Sequence, residues 1–162
     1  MSDSVIRSRG SELLHGEFAE YAANIASDVK KHNPGFSPEY IGKLVSAWGD
    51  WATLIADDPT AVYALTVDMD EVWHAAVLRT RKYVSFMGAL TDGRFIHHEP
   101  AENYGTPDEV RRTVAALETA GHPVDNDVWG AMCAATCNGG NDCKPAAPCP
   151  GIDVGPIMAG VA

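Results

Sequence analysis

The run that most constrains the fold opens at Ser37-Pro38-Glu39 and closes at Asp57-Asp58-Pro59. Ser as N-cap, Pro at the first helical position and Glu in the first turn together start an α-helix. Between the two signals Ile41, Leu44, Val45, Trp48, Trp51, Leu54 and Ile55 recur at spacings of three and four, so they share one face. A stripe this long, with two tryptophans, has to be buried against a partner.

The segment before it supplies that partner. Leu14, Phe18, Tyr21, Ala22, Ile25 and Val29 form one apolar face of a helix expected over about Ser11 to Lys31, and Asn33-Pro34-Gly35 breaks it. The two helices are expected to pack as an antiparallel pair.

Further along, Ala61 to Val67 is a short apolar run that periodicity assigns to neither helix nor strand. Asp68 followed by Glu71 reads as a capping box, so a third helix is expected to start there. Val72, Trp73, Ala76, Val77, Tyr83, Val84 and Met87 would be its buried side, with Gly88 and then Thr91-Asp92-Gly93 as stops. Thr106-Pro107-Asp108-Glu109 opens another helix, carried by Val110, Val114 and Leu117 and closed at Gly121. From Ala131 onward Gly, Pro, Asn, Ala and Cys replace periodicity with turn dipeptides. The expected fold is mainly α: a compact helical single domain of four to five helices over 1–130, followed by an irregular Cys/Gly/Pro-rich C-terminal appendix over 131–162.

Composition narrows the function classes. Twelve basic and 22 acidic residues give a formal charge of −10, a field that repels phosphates and disfavours nucleic acid and anionic membranes as partners. No stretch reaches the roughly 18 apolar residues of a membrane span. The first residues lack the charged-then-apolar order of a signal peptide. Cytoplasmic residence is therefore expected, where lasting disulfides are uncommon.

Chemistry-bearing residues concentrate between Val67 and Pro100. On a helix opening at Asp68, Glu71 and His74 are neighbours, as are Asp70 and His74. Glu-x-x-His is the spacing of carboxylate-bridged di-iron bundles, but those need a second such pair, and none is present. His97 and His98 are adjacent, so in an extended segment one of them would share a pocket with His74. Histidines His74, His97 and His98 with Asp68 or Glu71 would suit a transition metal, Zn or Fe foremost, acting on a small molecule or peptide. The alternative is a non-enzymatic interaction domain in which the same residues are structural. Asp68 as a helix cap and Trp73 as a core anchor fit that alternative. His15, His32 and His122 are read as structural.

The four cysteines, Cys133, Cys137, Cys143 and Cys149, are spaced more widely than zinc knuckles. A loose four-cysteine metal site, two disulfides in any of three pairings, and free thiols all remain open. A further alternative makes this segment a modified peptide core behind a folded leader. No phosphate loop, dinucleotide fingerprint, Gly-x-Ser-x-Gly elbow or His-Glu-x-x-His is present.

Val67, Asp68, Trp73, His74, Leu78, Thr80, Tyr83 and Phe86, followed by Gly93, Phe95, His97, His98 and Pro100, form a pattern that resembles the glycine-rich domain-containing protein-like family. The resemblance covers about a fifth of the chain and implies a domain identity rather than a mechanism. Many members of that family carry a second histidine where this chain has Ala76, and a cysteine where it has Met87.

Overall fold

A computed structural model describes residues 7–97 and 106–130. The fold is all-helical there, with seven helices in the order α1 (Arg9–His15), α2 (Ala19–His32), α3 (Pro38–Asp57), α4 (Val67–Leu78), α5 (Thr80–Thr91), α6 (Pro107–Thr119) and α7 (Asn126–Trp129). No helix among the described residues is long and apolar enough to cross a membrane. The appendix expected over 131–162, with Cys133, Cys137, Cys143 and Cys149, lies outside the described residues, as does His98.

Helix α3 forms where its punctuation places it. Ser37 is extended and its hydroxyl accepts from the Tyr40 amide at 3.1 Å, with Pro38 opening the helix. Helix α6 likewise starts on a complete capping box, in which Thr106 and Glu109 each bond the other's backbone amide. Gly121 follows α6 with φ +74°, a conformation that favours glycine.

Three expectations change. The first helix begins earlier, at Arg9, where Ser8 accepts from the Ser11 amide, and it breaks between His15 and Ala19. The Leu13 carbonyl bridges that break by accepting from both Gly16 and Phe18. The apolar stripe survives the interruption, because Leu14, Phe18, Tyr21, Ile25 and Val29 are all still buried. The third helix starts at Val67 rather than Asp68, because Thr66 is extended and its hydroxyl caps Met69. That same helix, expected to run through Met87, breaks at Arg79 into α4 and α5, and it passes Gly88 before ending at Thr91. Asp92 (φ 55°) and Gly93 (φ 91°) take left-handed conformations there. Helix α7 was not anticipated.

Helices α1 and α3 run antiparallel, as Gly10 meets Gly49 and Thr53 while His15 meets Ser46. Their contact is backbone on backbone: a Cβ built at Gly10 would lie 2.2 Å from the Gly49 carbonyl oxygen. The Thr53 hydroxyl accepts from the Gly10 amide at 2.8 Å and donates to the Gly49 carbonyl at 2.9 Å, so the crossing is also hydrogen-bonded. Around it sits an aromatic core. Trp48 stacks on Phe86 at 5.3 Å, and Trp51 meets Trp73 edge-on at 4.7 Å. The Tyr21 hydroxyl donates to the Ala76 carbonyl at 2.9 Å, joining α2 to α4.

The α4–α5 break is tied to α2 by Asp28, which accepts from Arg79 at 2.6 and 2.8 Å. Partial burial pushes the Asp28 carboxyl up, but hydrogen bonds from Arg79 and Lys31 outweigh it and hold the group below its ordinary value. A lowered acid contributes stability above the unfolded-state value of 3.8 and loses it as pH falls through its folded value.

Gly10→Ala or Gly49→Ala should lower unfolding free energy by about 2 kcal/mol or more, as overpacking against backbone does. Gly42→Ala, whose Cβ meets nothing within 4 Å, should instead stabilise by about 0.5–1 kcal/mol; denaturant melts compare the three. Asp28→Asn should cost about 0.5–1 kcal/mol at pH 7, given its partly exposed partners. In melts across pH the gap between the two proteins should close as acid protonates Asp28.

Candidate functional site

The tryptophan–histidine segment lies on α4 and faces the loop after α5. Trp73 is 1% exposed, with its ring against Trp51. A buried indole N–H needs an acceptor, and it donates to the Tyr83 hydroxyl at 3.1 Å. Tyr83, fully buried on α5, donates in turn to the Ile96 carbonyl at 2.6 Å. Burial pushes the Tyr83 phenol up to about 12 against the opposing Trp73 hydrogen bond, so the hydroxyl keeps its proton at neutral pH. A relay of two hydrogen bonds thus links α4, α5 and the segment that leads to His97.

That segment has two further anchors. The Thr91 hydroxyl lies 2.6 Å from the Arg94 carbonyl, and the Arg94 guanidinium donates to the Ala56 carbonyl at the end of α3 at 2.5 Å. Phe95 packs edge-on against Tyr83 at 5.1 Å, and the His97 ring rests on Phe95 at 4.7 Å. Ile96 is buried, whereas His97 is exposed.

His74 sits next to Trp73 on the outer side of α4, its side chain 54% exposed. Its Nδ1 lies 3.0 Å from both the carboxylate and the carbonyl oxygen of Asp70, one turn back. Those two acceptors place a proton on Nδ1. The carboxylate beside His74 is therefore that of Asp70, at the i,i+4 spacing, and not that of Asp68. Glu71 is half-buried one turn before His74.

Asp68 acts elsewhere. It falls in the first turn of α4, where its charge complements the helix dipole, and it accepts from the Tyr40 hydroxyl of α3 at 2.7 Å. The role as N-cap passes to Thr66, which has the hydroxyl and the extended backbone that capping needs. Among the described residues no three His, Cys, Asp or Glu side chains come together as a metal-holding group.

Sequence reasoning missed Tyr83 as the centre of this site, because its position in an apolar stripe reads as core. The usable signal was the hydroxyl itself, since a tyrosine buried in a core finds a partner for it. Tyr40 gave no sequence signal as the partner of Asp68.

Tyr83→Phe removes the acceptor for Trp73 and the donor to Ile96, and should lower stability by about 1–3 kcal/mol. His74→Ala, at a half-exposed position, should cost under about 1 kcal/mol. Chemical denaturation of the two variants beside the parent protein checks the ranking.

Compared with protein-family models, curated proteins and solved structures, the chain matches none of them.

Proposed function

We propose that this chain is a non-enzymatic helical interaction domain, resembling the glycine-rich domain-containing protein-like family, in which the tryptophan–histidine motif fixes a joint between helices. The observation that carries this reading is the Trp73–Tyr83–Ile96 relay. It gives the Trp, Tyr and Phe of the motif a mechanical role, which is to hold the His97 segment against α4 and α5. Asp68 serves the same end by tying α4 to α3 through Tyr40. Such a joint presents His74 and His97 on the outside of a rigid corner, where a small molecule or peptide would meet them. The reading takes the domain to be cytoplasmic.

A second reading is favoured by the Asp70–His74 pair. A carboxylate or carbonyl that holds one imidazole nitrogen and directs the other outward is the usual support of a metal-ligating histidine. In that reading His74 and His97 would donate to Zn or Fe together with His98. The metal would supply a Lewis acid at an exposed corner, and Asp70 would keep His74 in the ligating tautomer.

Elemental analysis of the protein purified without added metal separates the two. The interaction-domain reading expects less than about one tenth of an equivalent of any transition metal, the level of incidental carry-over for a site not built to hold one. Near-stoichiometric Zn or Fe that is lost in His74→Ala, with folding intact by circular dichroism, would overturn it in favour of the metal site.

A further inference from the structure

On the opposite side of α3 from the tryptophan–histidine motif, α1 and α3 enclose a second feature. Where the two helices touch at Gly10 and Gly49 there is no room for a side chain. Toward His15 and the start of α3 the facing residues are small (Ser11, Gly42, Ser46 and Ala47), and a cavity of about 400 Å³ opens between them, closed on a third side by Pro123 and Asp125. That volume is within the range of small-ligand sites.

The lining is rich in acceptors. Glu39, Gly42, Ser46 and Asp50 fall on one face of α3 at spacings of three and four, and Ser11 and His15 face them from α1. Asp50 is 4% exposed and accepts from the Ser8 hydroxyl at 2.5 Å. Burial pushes the Asp50 carboxyl up, opposed by hydrogen bonds from the Ser8 hydroxyl and amide and by the nearby His122 and Arg7. His15 Nε2 lies 2.9 Å from the Ser46 hydroxyl. Burial and the nearby Arg7 charge push His15 below its usual value, so the ring beside Ser46 is mainly neutral at pH 7. Of the two cations in the lining, Lys43 is already held by Asp125 and Asp127. Arg7 is the other, and its charge acts on both Asp50 and His15.

We propose that this cavity binds a small organic ammonium ion, its three N–H groups donating to Asp50, Ser46 and Ser11. An ammonium carries three donors and no acceptor, which matches a floor of one carboxylate and two hydroxyls. The overall charge of −10 favours its approach. Free alkylamines and the lysine side chain of a peptide share this chemistry.

The test is titration of the full chain, isotope-labelled for amide NMR, with n-butylammonium, butyrate, butanol and Nα-acetyl-lysinamide at pH 7. Butylammonium should shift Ser11, Gly42 and Ser46 with saturation at about 1 mM, a reasonable affinity for a five-atom ligand. Butyrate and butanol should leave them in place. Tighter binding of acetyl-lysinamide than of butylammonium would assign the source as a peptide, and the reverse would assign a free amine. Asp50→Asn should weaken binding at least tenfold. Because Asp50 also supports the α1 cap, Gly42→Leu provides the second variant: its side chain has open space at Cβ, fills the cavity and should abolish the shifts in a folded protein. Equal binding of butyrate, or ammonium shifts that survive Gly42→Leu, would overturn the assignment.

Discussion

Everything else in this molecule is arranged around the burial of α3. The first half of that helix is amphipathic, but every residue from Ala47 to Ala56 is buried, whichever way it points. A helix apolar all round must be covered all round, and α1, α2, α4, α5, α6 and α7 all pack on it. The cover depends on size as much as on hydrophobicity. Trp48 and Trp51 fill one side, while Gly49 lets α1 approach to backbone contact on another. Two polar residues fall within the buried stretch, and each is used to place the chain's first helix: Asp50 takes the Ser8 hydroxyl and Thr53 takes the Gly10 amide.

The tryptophan–histidine segment is fastened to this centre by polar bonds that begin from core positions. Trp51 of α3 touches Trp73 of α4, whose N–H reaches Tyr83 of α5, whose hydroxyl reaches the backbone of Ile96. Arg94 returns to the last turn of α3 at Ala56. A non-helical segment is thereby held at both ends by groups with few alternatives, since each buried donor left unmet would carry a desolvation cost. The chemistry-bearing residues of the motif divide into different roles. Asp68 ties helices, Trp73 and Tyr83 build the joint, and His74 stands on the outer face with Asp70 fixing its tautomer.

Much of the fold was legible because it rests on local rules. Ser37-Pro38 and Thr106-Pro107 each begin a helix where cap chemistry requires it, and the stripe from Leu14 to Val29 is buried as its period demands. The break at Gly16–Phe18 was not legible because it leaves its stripe buried, whereas the break at Arg79 changes the stripe and leaves Val84, expected on the buried side, 55% exposed. Leu13 takes up the freed amides at the first, and Asp28, far away in sequence, holds Arg79 at the second. Within the site, the i,i+4 spacing of Asp70 and His74 was readable. The Tyr40–Asp68 and Tyr83–Ile96 bonds were not, as each depends on how separate elements dock. The cavity beside Asp50 was hidden for the same reason: its walls are ordinary small residues until α1 and α3 face each other.

Amide and indole hydrogen exchange followed by NMR tests the central claim, that the motif's aromatic residues form a hydrogen-bonded joint, most directly. The Trp73 indole N–H is predicted to exchange at least a hundredfold more slowly than a free indole, about 2.7 kcal/mol of protection, and to lose most of that protection in Tyr83→Phe while the α3 amides keep theirs. A Trp73 indole that exchanges as freely as a solvent-exposed one, or whose protection is indifferent to the Tyr83 hydroxyl, would contradict the account.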